Sequence, residues 1–411
     1  MERWNDGIMK QSGEIMLKSI ENAISSKIKI AYFAGSMRPG IDGVTRVLYR
    51  LIEELNTRQI ENIFISPIIP KVEEQPTLMY KVPSVTVPFY KEYRLPYFGQ
   101  KKFENKLLEF KPDIIHINSP CPLGYAALKF GLRHKIPVVA TYHTHFASYA
   151  KYYKVKSLES FSWNYFRSIY NRCETVYVPS IPILNELRSH SLTTTEFLPH
   201  GVDTQIFNPR YKSSKWKKDL NIEGKTALLF AGRLVWEKDL KTFVEVYNIL
   251  SAKRKDIIFV LAGDGPIRED LEKSMPKAIF LGYQTGRELA TTYSSSDIFV
   301  FPSTTETFGN VVVEAMASGL PPICVREGGA YGIVKDNITG LIAEPRNAAD
   351  ISNKIEMLLN QPGLRDQISR QAFQYAQTQS WENVFEKLFR SYEEVIRNYK
   401  IRGLYKEKKV A

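Results

Sequence analysis

Two glutamates with seven residues between them, Glu306 and Glu314, bracket a segment built from anion- and hydroxyl-binding groups. The segment reads Phe301-Pro302-Ser303-Thr304-Thr305-Glu306-Thr307-Phe308-Gly309-Asn310-Val311-Val312-Val313-Glu314. An apolar strand-like run precedes it, and helical periodicity begins near Asn310, which places Glu306 in the loop and Glu314 inside the helix, about two turns from the loop. Thr307, Gly309 and Asn310 crowd the helix start, where backbone N–H groups and the positive dipole end attract a phosphate. A carboxylate on either side of such a phosphate site suits a ligand whose hydroxyl-rich groups flank phosphates, with Glu306 on a sugar and Glu314 on a ribose. Taken alone, the pair reads rather as a dipole-favoured charge and a solvated helix residue.

A second segment changes the balance. Phe230-Ala231-Gly232-Arg233-Leu234-Val235-Trp236-Glu237-Lys238-Asp239 puts Gly232 and Arg233 just past a strand and Lys238 at the next helix start. The planar fork of Arg233 can hold a phosphate through two donors, and Lys238 adds a point charge, so together they can neutralise a diphosphate. By itself this too reads otherwise, as a surface ion pair of Lys238 with Glu237 or Asp239. Two such motifs at strand-to-helix junctions of one domain point to a nucleotide-sugar site.

These residues need strands and helices that bring their ends together. Ile28–Ala34, Ile63–Ile69, Ile114–Ile117, Val138–Thr141 and Thr175–Pro179 read as strands, with a helix over Val44–Leu55. After Asn221 a second series follows: strands over Ala227–Ala231, Ile257–Ala262, Ala278–Leu281, Ile298–Phe301 and Pro322–Val325, and helices over Asp239–Leu250, Asn310–Ala317 and Ala349–Leu359. Runs apolar on both faces suit parallel strands covered by helices. The expectation is an α/β chain with two Rossmann-like domains facing each other across a cleft. The divisions are an extension at 1–27, an N-terminal acceptor domain at 28–200, a C-terminal donor domain at 222–375, and a C-terminal helix with a basic tail at 380–411. A polar linker, Asn208–Asp219, lies between the domains, and the amphipathic run Trp381–Arg397 forms the C-terminal helix, packing back toward the N-terminal domain.

At this point the chain resembles glycosyltransferase family 4, whose pattern includes a Gly-Arg…Lys loop and a Glu-x7-Glu motif, met here by Arg233, Lys238, Glu306 and Glu314. The resemblance runs from Ile28 to about Tyr392, and within the family it is nearest to bacterial GDP-mannose-dependent mannosyltransferases and sulfoquinovosyldiacylglycerol synthase-like enzymes. It implies a GT-B fold and a retaining transfer in which Arg233 and Lys238 hold the donor diphosphate. Glu306 then meets the donor sugar and Glu314 the ribose, with Gly232, Phe308, Gly309 and Asn310 around the donor. It also implies donor binding without a cofactor or metal. In the N-terminal half, Gly40, Asp42 and Gly43 lie in the loop Met37–Arg46 that faces the donor phosphates, and His143 resembles the family histidine on the donor sugar. His145 or Asp42 would position the acceptor. His200-Gly201-Val202-Asp203 matches the family near the hinge, where a structural and a catalytic role stay open. One departure is Gly332, which stands where an acidic residue is usual.

Composition bounds the rest. Of 411 residues 44% are hydrophobic and 24% charged, an ordinary globular balance, and no apolar run approaches the ~20 residues of a transmembrane helix. Cys121, Cys173 and Cys324 are too few and too scattered for a disulfide framework or a metal site, and no secretory signal is apparent, which suits the cytoplasm. The net charge of +12 comes without any nucleic-acid-binding motif, so nucleic acid is not expected as a partner. Val87–Phe103 interleaves aromatics with Lys91, Arg94, Lys101 and Lys102. That run suits either peripheral contact with the anionic inner face of the membrane or an acceptor-side loop packed on its own domain. Two other classes share the plan: a sugar-nucleotide epimerase of the same fold and a non-catalytic partner subunit.

Overall fold

The computed structural model describes residues 28–39, 43–87, 90–96, 100–143 and 156–408. Its first half contains β1 (Lys29–Phe33), α1 (Gly43–Thr57), β2 (Glu61–Ser66), β3 (Met79–Lys81), the hairpin β4 (Ser84–Val87) and β5 (Tyr90–Pro96), then α2 (Gln100–Phe110). It continues through β6 (Ile114–Ile117), α3 (Pro122–Arg133), β7 (Val138–Thr141), α4 (Lys156–Tyr170), β8 (Thr175–Val178), α5 (Ile181–Ser189) and β9 (Thr195–Phe197). The second half contains α6 (Ser214–Asp219), β10 (Thr226–Ala231), α7 (Leu240–Lys253), β11 (Ile257–Ala262), α8 (Arg268–Ser274), β12 (Ile279–Gly282), α9 (Gly286–Ser295) and β13 (Ile298–Phe301). It closes with α10 (Asn310–Ala317), β14 (Pro322–Val325), β15 (Leu341–Ala343), α11 (Ala348–Asn360), α12 (Pro362–Gln377) and α13 (Trp381–Lys408).

Among the described residues the strands form a parallel seven-stranded sheet, ordered β3-β2-β1-β6-β7-β8-β9, and a parallel six-stranded sheet, ordered β12-β11-β10-β13-β14-β15. The two Rossmann-like halves expected from the strand pattern are therefore present. Each sheet reverses its winding at one place, between β1 and β6 and between β10 and β13. Open parallel sheets bind ligands in the crevice that such a reversal creates at the carboxyl ends of the strands. The loop after β1, Asn118 after β6, Arg233 after β10 and Glu306 after β13 all lie at those ends.

Helix α13 belongs to the other half of the molecule. Its Phe385, Leu388, Phe389, Tyr392 and Ile396 join Ile30, Tyr32, Leu48, Leu51 and Tyr177 in one core cluster, the packing toward the N-terminal domain that the amphipathic run implied. Burying each large apolar side chain contributes about 1.5–3 kcal/mol, enough to hold a long helix against a distant domain. A polar thread runs through the contact: His116 in β6 bonds Tyr392 through Nδ1 and Thr141 through Nε2, the latter at 2.7 Å. The chain crosses between domains twice, and the crossings touch. Val202 N–H donates to the Gln379 carbonyl at 2.8 Å, Val202 bridges Ser380, and Gly201 packs on Trp381.

Several expectations need correction. Strand β2 stops at Ser66 rather than Ile69, because Pro67 has no N–H to donate and the Ser66 hydroxyl turns the chain by bonding the Ile68 carbonyl at 2.9 Å. Asn208–Asp219 is no bare linker: it holds a 3-10 turn, Pro209–Tyr211, and α6, whose Lys217 pairs with Asp297 at 2.7 Å. The segment after Arg397 continues α13 to Lys408. Among the described residues no helix is long and apolar enough to cross a membrane.

Candidate active site

The loop after β10 owes its shape to glycine. Gly232 has φ +146°, and a side chain at Gly263 (φ +148°) would strike the Gly232 carbonyl, so the loops after β10 and β11 meet backbone to backbone. Arg233 is exposed at the head of this turn. Lys238 does not open the long helix, as its position in sequence suggested. It ends a 3-10 turn, Trp236–Lys238, before Asp239 takes a left-handed conformation (φ 56°) and α7 begins. That turn aims the Lys238 ammonium at Glu306, with which it forms an ion pair, and over the Phe301 ring at 5.6 Å. Burial and the neighbouring Arg233 charge pull the Lys238 ammonium down to about 8, against the opposing pull of Glu237.

Opposite stands the loop after β13. The Glu306 carbonyl accepts from Gly329 N–H at 2.6 Å, and Thr305 Oγ1 donates to the Glu237 carbonyl at 3.1 Å, so the loops after β10, β13 and β14 brace one another. Gly309, at φ +99°, caps α10, and Phe308 beside it is buried. Glu314 lies one turn into α10, not two, and is buried rather than solvated. The Tyr293 hydroxyl donates to its Oε2 at 3.1 Å. Burial raises the Glu314 carboxyl, while the Arg46 charge and the Tyr293 bond oppose the rise.

The N-terminal half meets this site directly. Thr307 Oγ1 donates to the His143 carbonyl at 2.8 Å, His200 Nδ1 bonds Asn310 Oδ1 at 3.1 Å, and Gly43 lies against the Asn310 amide. His143 is 8% exposed, and its Nε2 bonds Asn118 Oδ1 at 3.2 Å. Burial and the nearby His200 and His116 hold His143 well below its ordinary pKa, and burial lowers His200 to about 4 despite its Asn310 bond. Both rings are therefore neutral near pH 7.

The structure thus places Gly43, His143, Gly232, Arg233, Lys238, Glu306, Phe308, Gly309, Asn310 and Glu314 on neighbouring segments where the two halves of the molecule meet. Gly40, Asp42 and His145 lie outside the described residues. Sequence reasoning missed Asn118 and Tyr293. Asn118 was discoverable from its place just past a strand at the sheet's reversal, whereas Tyr293 sits mid-helix with no local sign of its partner. Gly332 also finds a physical reason: a Cβ there would lie 2.5 Å from Pro182 Cδ, so the start of α5 leaves no room for an acidic side chain. Among the described residues no group of three His, Cys, Asp or Glu side chains is placed to hold a metal ion.

Comparison with known proteins shows the family and the fold. Residues 41–206 match the family described as Glycosyltransferase Family 4, and residues 212–375 match Glycosyl transferases group 1. A GDP-mannose-dependent alpha-mannosyltransferase of Corynebacterium glutamicum is 31% identical over 375 residues, covering 90% of this chain and 89% of the relative. The sulfoquinovosyl transferase SQD2 of Arabidopsis thaliana is 33% identical over 316 residues, covering 74% of this chain and 61% of the relative. A solved glycosyltransferase from Rickettsia africae superposes with a TM-score of 0.72 at 18% identity, covering 91% of this chain and 100% of that one, a likeness of fold. The chain belongs to the family 4, group 1 glycosyltransferases of GT-B fold, and is a hexosyltransferase that takes its sugar from a nucleotide-sugar donor.

Proposed function

We propose that this enzyme moves a hexosyl group, mannosyl from GDP-mannose in the first instance, to a hydroxyl of a lipid or glycan acceptor, with retention at the anomeric carbon. The observation that carries the reading is the Lys238–Glu306 pair, with Arg233 beside it, at the reversal of the donor-side sheet and next to Thr307, which bonds the His143 carbonyl of the N-terminal half. The likeness to a GDP-mannose-dependent relative favours that donor.

Arg233 and Lys238 stabilise the diphosphate as it leaves, supplying the positive charge that a metal would otherwise provide. Glu306 and Glu314 bind sugar and ribose. Neither is needed as a nucleophile, because the acceptor itself attacks the anomeric carbon; Glu314 is also buried against Tyr293. The acceptor oxygen attacks the anomeric carbon from the face the diphosphate leaves, and the departing diphosphate oxygen takes the acceptor's proton. Closure of the crevice aligns the reactants and excludes water.

The reading extends to peripheral contact with the inner face of the membrane through Val87–Phe103. Within that run the exposed Arg94 is already bonded to Ser84, through Oγ and the carbonyl at 3.0 Å each, which stiffens the β4–β5 hairpin. Flotation with anionic liposomes, with and without Lys91, Arg94, Lys101 and Lys102, tests this; equal flotation rejects it.

Thermal-shift screening with GDP-, UDP-, GDP-mannose and UDP-glucose tests the donor, because a bound ligand raises stability by mass action. Incubation with membrane lipid extract then tests transfer. Recovery of an epimerised nucleotide sugar, with no acceptor-dependent release of nucleotide, would replace the proposal with the epimerase reading.

A further inference from the structure

Arg346 lies in the turn between β15 and α11 at φ 56°, a left-handed conformation that suits glycine and that other residues adopt only where their surroundings hold them. The turn itself is rigid. Asn347 caps α11 by accepting from the Asp350 N–H at 3.0 Å, and the Asp350 carboxylate accepts from the Glu344 N–H at 2.7 Å. From this turn the guanidinium grips Glu327, in the loop after β14, through two nitrogens. Nη1 donates to Oε2 at 2.8 Å and Nη2 to Oε1 at 3.1 Å.

Glu327 precedes the two glycines on which the Glu306 loop rests. A side chain at Gly328 (φ +77°) would begin 2.6 Å from the Thr304 carbonyl oxygen, and one at Gly329 would begin 1.9 Å from that of Thr307. The loops after β13 and β14 therefore touch backbone to backbone, and the Gly329 N–H donates to the Glu306 carbonyl at 2.6 Å. A shift of the glycines moves Glu306. The same guanidinium has its Nη2 3.5 Å from Thr304 Oγ1. Burial raises the Asp239 carboxyl, and the Thr242 hydroxyl bond and the Arg346 charge oppose that rise. Asp239 directly follows Lys238, so one cation faces the loops after β10, β13 and β14. A second ion pair, Arg326 with Glu344 at 3.3 Å, ties the loop after β14 to the same turn.

We infer that Arg346 is a positioning residue for the donor site: clamped on Glu327, it fixes where the Gly328–Gly329 backbone holds the Glu306 loop beside Lys238. The role rests on the reading of Glu306 as the carboxylate that meets the donor sugar. Arg346 itself touches no substrate and acts through Glu327 and the glycines. An isolated exposed ion pair contributes little, but a two-point grip by a planar fork, shared with neighbouring loops, holds geometry as well as charge. A lysine could not make that grip. Arginine at a left-handed position then has a reason, since backbone strain is retained where the side chain holds a site.

The test uses Arg346→Gly, which suits the turn's backbone and removes the clamp, and Glu327→Ala, which removes its anionic partner. Urea denaturation is expected to show both folded, since neither change touches the core. Calorimetric titration with GDP and GDP-mannose (or UDP and UDP-glucose, whichever nucleotide the parent binds) measures the affinity that the sugar adds. Each variant should bind the nucleotide within about twofold of the parent and lose about fivefold of the sugar's added affinity, the scale of a networked surface pair. The double variant should lose no more than either single one, because the two residues act as a unit. Hydrogen exchange at the Gly329 amide gives a reading that needs no ligand. It should quicken in both variants as the loops after β13 and β14 part more often. Unchanged exchange, an unchanged sugar gain, additive losses in the double variant, or equal losses for nucleotide and nucleotide sugar each overturns the inference. Quickened exchange in variants of a parent that binds no nucleotide sugar supports the clamp and removes the donor-site reading instead.

Discussion

Lys238 and Glu306 are partners in an ion pair, so the cation assigned to the donor diphosphate and the carboxylate assigned to the donor sugar neutralise each other. On the proposed assignment, donor binding would exchange that partner: the ammonium would turn to phosphate and the carboxylate to sugar hydroxyls. Part of the cost of ordering these side chains is met before the ligand arrives, since both are already held in loops braced by neighbours.

Removing the carboxylate charge therefore has opposite effects on the two halves of the donor. In Glu306→Gln, Lys238 loses its internal competitor. Affinity for the nucleoside diphosphate should hold or rise by a few-fold, while kcat/KM falls by ~10²-fold. Calorimetry with GDP or UDP and steady-state transfer assays decide it; a fall in diphosphate affinity as large as the fall in kcat/KM would sink the exchange.

Arg233→Met or Lys238→Ala should each reduce turnover by ~10²-fold or more, the usual effect of removing one transition-state donor. Turnover near the parental value in both variants is incompatible with the diphosphate assignment.

The Lys238 ammonium, drawn down to about 8, carries a pH signature. Its charge is full below about pH 7 and lost as pH rises through about 8, so diphosphate affinity should weaken on the alkaline side of that value. Because the Arg233 charge helps lower it, Arg233→Met should move this alkaline limb upward while weakening binding overall. For folding the sign runs the other way. Between about pH 8 and the ordinary lysine value of 10.5 the unfolded chain holds the proton that the native site has released, so this residue's contribution to stability rises with pH there. An alkaline limb that stays in place in Arg233→Met separates the two charges and refutes the coupling.

At the hinge, a methyl group at Gly201 would stand 2.6 Å from the Trp381 ring and 2.7 Å from its Cα. Gly201→Ala is expected to destabilise the chain by about 1–3 kcal/mol, the usual penalty of overpacking, and to loosen α13 from the N-terminal domain. Urea denaturation and limited proteolysis within α13 measure both effects; a parental profile in each would show that the crossing tolerates extra volume.

Gly332→Asp restores the acidic residue usual in the family and places its Cβ against Pro182. The contact between the domains should open, seen as a larger radius of gyration by solution scattering and a several-fold rise in donor KM. An unchanged radius and KM would mean that α5 gives way instead.

The strand runs, the glycine turns and the Arg233–Lys238 and Glu306–Glu314 motifs were legible in the chain itself, because burial on both faces, backbone freedom and strand-to-helix order are local properties. Those features determined two parallel-sheet domains and set the candidate donor residues at the ends of their strands. The partners of each charge were not local. Lys238 meets Glu306 only because β10 and β13 are neighbours where the sheet reverses, and Glu314 is buried because Tyr293 of α9 folds over it. Asn118 reaches His143 from the adjacent strand, and His200 reaches Asn310 from the opposite domain. Sequence periodicity shows which face of an element is apolar, but not which distant element it meets. Sheet order and side-chain packing decide that, and with it whether a carboxylate is a surface charge or half of a binding site.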